Sequence, residues 1–169
     1  MYKIMRNPRV FSREAVLARP TPVPDQAGMY GWYFKKIPKL VPMDYYCCHD
    51  DMALLYIGIA PSQAGSKSTL RKRIRTHYRG NCSQSTLRKT LACLLAEELN
   101  IHLRPTGQTG RLTLGEDEQV LDRWMEENAF VTWQVIEEPW AVEKDLIRDG
   151  NVPLNIQHNQ EHRFYKDLR

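Results

Sequence analysis

Met29-Tyr30-Gly31-Trp32-Tyr33-Phe34 and Leu54-Leu55-Tyr56-Ile57-Gly58-Ile59 are the two stretches on which the fold of this chain turns. The first is rich in aromatic side chains and the second in aliphatic ones, and both compositions fit a pleated, buried surface. Between them, the run through Pro38 and Pro42 to Asp51 has no hydrophobic period and reads as a loop. The two strands are therefore expected to pair antiparallel across a long linker. Further along, Phe130-Val131-Thr132-Trp133-Gln134-Val135-Ile136 alternates well enough to predict a third strand.

Working outward, residues 1–27 read as an N-terminal extension that packs on the domain. Ser12 is placed to cap a brief helix through Leu17, and Pro20, Pro22 and Pro24 then force an extended segment. Residues 28–169 read as a single domain with a C-terminal tail. Ser68 is placed to cap a helix over 69–78, and Ser85 a longer one with Leu87, Leu91, Leu94, Leu95 and Leu99 as its buried stripe. Residues 100–112 read as a loop or weak hairpin. Thr113 with Glu116 matches a capping box, and Val120, Leu121 and Trp124 mark the helix after it. Pro139 opens a last helix that Gly150 is expected to stop. The pattern predicts an α/β (α+β) domain, a small three-stranded antiparallel sheet flanked by helices.

A chain of 169 residues, 42% hydrophobic and 26% charged, suffices for one core and is short for two. It has no apolar run long enough for a membrane helix and no signal-peptide core at its N-terminus. Its four cysteines form no disulfide-like framework, so a reduced cytoplasmic protein is the simplest expectation. The net charge of +4 is modest but sorted. From Met52 to Ala96 there is no acid, while Lys67, Arg71, Lys72, Arg73, Arg75, Arg79, Arg88 and Lys89 all fall inside. From Glu97 to Asp145 twelve acids face four bases. Such segregation fits a basic face toward a polyanion, and a solvated helix surface would explain it as well.

On the helix near residue 70, Leu70, Ile74 and Tyr78 share the buried face at 100° per residue. Arg73 and His77, four apart, are expected on its flank, half-sheltered, where a guanidinium can clamp a phosphate. Arg71 and Arg75 lie on the other flank as backbone-positioning contacts. On the helix near Trp140, Glu143 falls beside Leu146 and Ile147, where a carboxylate is costly unless something satisfies it. A salt bridge to a core arginine is one explanation, and a hard divalent ion such as Mg²⁺ is the other. Tyr30 and Tyr56 in their strands read individually as core tyrosines.

Together these pieces resemble the GIY-YIG nuclease family. Gly28-Met29-Tyr30 looks like the first signature tripeptide and Tyr56-Ile57-Gly58 reproduces the second. Leu70-Arg71-Lys72-Arg73-Ile74 followed by His77 resembles the family's catalytic helix. Glu143 with Leu146-Ile147, then Pro153-Leu154-Asn155, resembles its metal-ligand glutamate and downstream asparagine. The resemblance spans roughly 28–155. It implies a DNA endonuclease with a one-metal mechanism: Glu143 holding Mg²⁺ or Mn²⁺, Arg73 stabilising the transition state, and Tyr30 deprotonating water with help from Tyr56 and His77. Asn155 would be an orienting group. A phenol of pKa about 10 is a poor base unless its anion is favoured or its proton passed on, and Arg73 and His77 would do both. Met29 departs from the family's isoleucine, and the loops between the signatures and from Tyr56 to Arg73 are longer than in compact members.

Lys67, Arg88 and Lys89 join Arg71 and Arg75 as candidate nucleic-acid contacts, Arg88 and Lys89 near a helix start that could receive a phosphate. Cys47-Cys48-His49-Asp50 invites a zinc reading, but adjacent ligands suit one tetrahedral ion poorly. Trp124, Trp133 and Trp140 read as packing, and the tail with His158, His162 and Arg163 carries no motif. A binding module that has lost catalysis, or an RNA-directed nuclease, are the alternative readings. A homodimer or a targeting partner stays open, since no DNA-targeting motif is visible.

Overall fold

In chain order the computed structural model, which describes residues 2–42 and 46–169, runs α1 (Arg13–Leu17), β1 (Gly28–Phe34), β2 (Cys48–His49), β3 (Met52–Ala60), α2 (Leu70–Arg79), α3 (Thr86–Leu94), α4 (Ala96–Leu99), β4 (Arg104–Thr106), β5 (Arg111–Thr113), α5 (Glu118–Asn128), β6 (Ala129–Val135), α6 (Glu143–Gly150) and α7 (Tyr165–Leu168). The main sheet is antiparallel with order β2-β3-β1-β6, and β4 and β5 form a separate hairpin. It has four strands where three were expected. The extra one, β2, is two residues long and turns back onto β3 through Asp50 in the left-handed region (φ 54°). Cys48 and His49 have no β-branched neighbours and no alternation to reveal them, so only the Asp50-Asp51 turn marks the hairpin.

Period two explains the core. Tyr30, Trp32 and Phe34 of β1 enter one cluster with Leu70, Ile74, Tyr78, Leu87, Leu121 and Trp124 from α2, α3 and α5. Met29 and Tyr33, with Leu54, Ile57 and Ile59 of β3, enter a second with Leu146 and Ile147 of α6 and with Ile4 and Met5 from the N-terminal segment. Both faces of β1 and β3 are thus covered.

Several element boundaries differ from the sequence reading. Thr69, not Ser68, caps α2 by accepting from the Lys72 N–H at 3.3 Å. The Thr113–Glu116 capping box does not form. Thr113 Oγ1 instead accepts from Gly115 N and Asn81 Nδ2, and α5 starts at Glu118 after a 3-10 turn. Asn151, left-handed at φ 46°, ends α6 where Gly150 was expected to. Ser12 and Ser85 cap α1 and α3 as expected.

Arg88 corrects a functional expectation. Its side chain is buried, not presented to a phosphate, and it donates to Glu118 at 2.6 Å and Asp122 at 2.7 Å. The acid-free and acid-rich halves of the sequence meet at this pair of bridges. No helix among the described residues is long and apolar enough to cross a membrane.

Candidate active site

The β1–β3 register brings the two signature tyrosines together. Tyr30 lies opposite Gly58 and Trp32 opposite Tyr56, so Tyr30 and Tyr56 are diagonal neighbours on one sheet face. The glycine between them is a steric requirement. A Cβ on Gly58 would sit 2.4 Å from both Cζ and Oη of Tyr30. Gly58→Ala should therefore displace the phenol. We expect a loss of about 1–3 kcal/mol, as for overpacking generally, with activity falling further than stability. Thermal denaturation beside a rate measurement checks both.

From α2, His77 reaches the same point. The sequence placed it half-sheltered on the helix flank, but its side chain is fully buried, in ring contact with Tyr30, Trp32 and Tyr56. Its Nε2 lies 2.8 Å from the Tyr30 hydroxyl and its Nδ1 lies 2.7 Å from Ser85 Oγ. The positive charge of Arg73 acts on Tyr30 and lowers its pKa. With Nε2 as the bare nitrogen of His77, the Tyr30 hydroxyl donates to it. His77 then carries its hydrogen on Nδ1 and donates it to Ser85. Ser85 was read only as a helix cap. It does cap α3, accepting from the Arg88 N–H at 3.1 Å, and its oxygen can also accept the His77 Nδ1–H. Nothing in the sequence marks this second role once His77 is taken as half-exposed.

Electrostatics hold the resting cluster neutral. Burial pushes the Tyr30 phenol far above its ordinary range and Tyr56 adds to this, while Arg73 pulls it down. Burial likewise raises Tyr56, to about 12, against the pull of Arg73. His77 is held well below its usual 6.5, first by burial and then by Arg73 and Arg88.

These groups open on a cleft of about 280 Å³ whose walls include Tyr30, Tyr56, Arg73, Glu143 and Asn155. Arg73 is half-buried there, and its Nη1 donates to the Gln84 carbonyl at 3.0 Å. Glu143 is the first residue of α6, and its side chain keeps 18% exposure. Among the described residues no arginine pairs with it, and its ion-pair partner is His158 of the tail, at 3.7 Å. Burial raises the carboxyl's pKa while His158 lowers it. Asn155 clamps β3 from the side: its Nδ2 donates to the Ile57 carbonyl at 2.7 Å and its Oδ1 accepts from the Ile57 N–H at 3.0 Å. That bond pair fixes the strand between the signature residues Tyr56 and Gly58.

The other sequence candidates lie apart from the cleft's walls. Lys67 is exposed, and Arg71, Arg75 and Lys89 are half-buried. Arg71 Nε donates to the Val23 carbonyl at 2.9 Å. None of the four forms a salt bridge among the described residues. Cys47, from the segment with the zinc-like composition, donates its thiol to the Met5 carbonyl at 3.0 Å.

Residues 28–169 match the family model described as GIY-YIG catalytic domain. No curated protein and no solved structure matches the chain. The matched span contains both tyrosines, Gly58, Arg73, His77, Ser85, Glu143 and Asn155. The chain belongs to the GIY-YIG catalytic domain family, a family of nucleases.

Proposed function

We propose that this protein is a divalent-metal-dependent endonuclease that hydrolyses phosphodiester bonds in DNA. The observation that carries the proposal is the 2.8 Å contact between Tyr30 and a buried, neutral His77, at the edge of a cleft that also holds Arg73 and Glu143. DNA as the substrate follows the family. The free cations of α2 and α3 suit a phosphate backbone.

A hard cation fits Glu143, a half-buried carboxylate on the cleft wall that among the described residues pairs with His158 and with no arginine. Mg²⁺ or Mn²⁺ is held by one or two carboxylates, with waters and substrate phosphate oxygens completing the shell. When bound, such an ion supplies charge compensation at the scissile phosphate and the leaving oxygen.

The chain's own residues account for the proton. With Tyr30 a neutral phenol, a standing phenolate is not the base. Instead the attacking water gives its proton to the Tyr30 oxygen as Tyr30 passes its own to His77 Nε2. The water oxygen bonds to phosphorus, and the bond from phosphorus to the leaving oxygen breaks with its electron pair on that oxygen. The leaving oxygen takes a proton from solvent, and His77 later returns one. The imidazolium formed keeps its Nδ1–H on Ser85. Arg73 donates to the phosphate as negative charge builds on it.

Ser85 then has a measurable part. Ser85→Ala should lower kcat about tenfold with little change in KM, and Ser85→Thr should restore most of it, because threonine keeps both the cap and the acceptor. A cap alone would cost about 1 kcal/mol of stability and leave kcat unchanged well below the melting point. The function itself is tested by incubating a labelled duplex oligonucleotide with the protein and Mg²⁺, Mn²⁺ or EDTA. Cleavage with either metal and none with EDTA is the expected result. Binding without cleavage under every condition would favour a non-catalytic module instead.

A further inference from the structure

The segment that precedes the family-matched residues carries charge of its own. Residues 1–27 hold Lys3, Arg6, Arg9, Arg13 and Arg19 against Glu14 and Asp25, a net charge of +3. Arg13 is spent on Asp122 at 3.4 Å. Lys3, Arg6 and Arg9 are exposed, and none has a carboxylate partner among the described residues.

Their placement is fixed. Ile4 and Met5 are buried in the core beneath α6, and the Ile4 carbonyl accepts from the Tyr33 hydroxyl at 2.8 Å. The Lys3 N–H donates to Gln134 at 3.0 Å, and Phe11 bridges Val131 of β6 through both backbone hydrogen bonds. Phe11 stacks on Trp133 at 4.4 Å, and the Arg9 guanidinium lies over the Phe11 ring at 4.9 Å. Lys3, Arg6 and Arg9 thereby ring a concavity of about 620 Å³, floored by Phe11 and Trp133 and lined by no acidic residue. The backbone that carries these cations is anchored and Arg9 is held over Phe11, so unpaired charges gathered around one hollow are arranged to meet a polyanion. The hollow is also close to the chemistry. Trp133 is the direct cross-strand neighbour of Tyr30, about 5 Å away between Cβ atoms in such a pair.

We propose that this hollow is a second DNA-binding site, which grips the phosphate backbone of the same duplex outside the catalytic cleft through Lys3, Arg6 and Arg9. The inference rests on the nuclease reading for its choice of DNA as the polyanion. Direct phosphate contacts leave a countable mark, since each one lost lowers the slope of log K against log salt by about 0.9.

The test is binding of a fluorescent duplex to the full chain in EDTA, titrated at several salt concentrations. Arg6→Ala/Arg9→Ala should weaken binding about tenfold at moderate salt and reduce the slope by about 2. Arg6→Lys/Arg9→Lys, which keeps the charges, should retain most of the slope, and thermal melts should show all variants folded. Arg104→Ala/Arg123→Ala, which removes as much charge from exposed positions elsewhere, should leave the slope unchanged. An unchanged slope in the first variant would overturn the proposal, and so would an equal loss in the control. Because the readout is binding without metal, it separates from the nuclease reading. A protein that cuts DNA yet keeps its slope refutes the second site alone. One that never cuts yet loses the slope refutes the enzyme alone.

Discussion

Tyr30→Phe lowers the single-turnover rate of DNA cleavage by about 10³-fold, the middle of the range for a lost general acid–base group, or roughly 4 kcal/mol of transition-state stabilisation. The change removes one oxygen and keeps the ring that fills the space above Gly58. The fold should therefore survive, with a modest cost from leaving buried His77 Nε2 without its donor. The pH profile gives the same prediction a second readout. The relay needs a neutral His77, and burial with Arg73 and Arg88 keeps it neutral to well below pH 6.5. The acidic fall of kcat/KM should accordingly lie below 6.5, since protonation is resisted until the pH drops under the ordinary histidine value. On the alkaline side, no rise should follow an ordinary tyrosine near 10, because burial lifts Tyr30 above that range and Tyr56 to about 12. An acid limb at 6.5, or a rate climbing with a tyrosine-like midpoint, would argue for a freely titrating base and against the coupled transfer.

Arg88→Leu produces the largest stability loss, about 3–5 kcal/mol, the usual consequence of removing one partner of a buried ionic set. Arg88 is fully buried, while Glu118 and Asp122 keep 16% and 24% exposure. Removing the guanidinium strands two partly sheltered carboxylates facing each other. Glu118 also accepts from Cys82 N at 2.9 Å, and Asp122 also takes Arg13, so the damage spreads to the turn that precedes α3 and to α1. For a domain of this size each kcal/mol shifts the melting point by about 2–4 °C, so a fall of roughly 10 °C is expected. The same variant separates structure from binding. Arg88 does not face solvent, so the salt dependence of DNA affinity should be unchanged. A variant that melted normally but bound DNA weakly would restore Arg88 as a phosphate contact.

What could be read in the sequence followed from local periodicity. The tyrosine strands, the buried stripe of α2 and the caps Ser12 and Ser85 each leave a pattern within a few residues. Contacts between distant segments leave none. Arg88 sits in an acid-free run, so it looked available to a phosphate. Its partners lie 30 and 34 residues away in the acid-rich run, and only the packing of α3 on α5 joins them. His77 was placed on the helix flank by its angle relative to Leu70 and Ile74. The sheet face carrying Trp32 and Tyr56 covers that flank too, so the ring is enclosed and both its nitrogens need partners. Ser85 supplies one of them, a role invisible until the burial is known. His158 lies in a tail without a motif and becomes relevant only through its 3.7 Å approach to Glu143. The short strand β2 escaped because two residues cannot display a period.

The most direct test of the account is the fate of supercoiled plasmid DNA incubated with the wild-type protein and Mg²⁺, with Glu143→Ala in parallel. The account predicts that only the wild type, and only with metal present, converts the supercoiled form to relaxed or linear product. Supercoiled DNA left intact by well-folded wild-type protein across several divalent ions, or cut equally by Glu143→Ala, would contradict it.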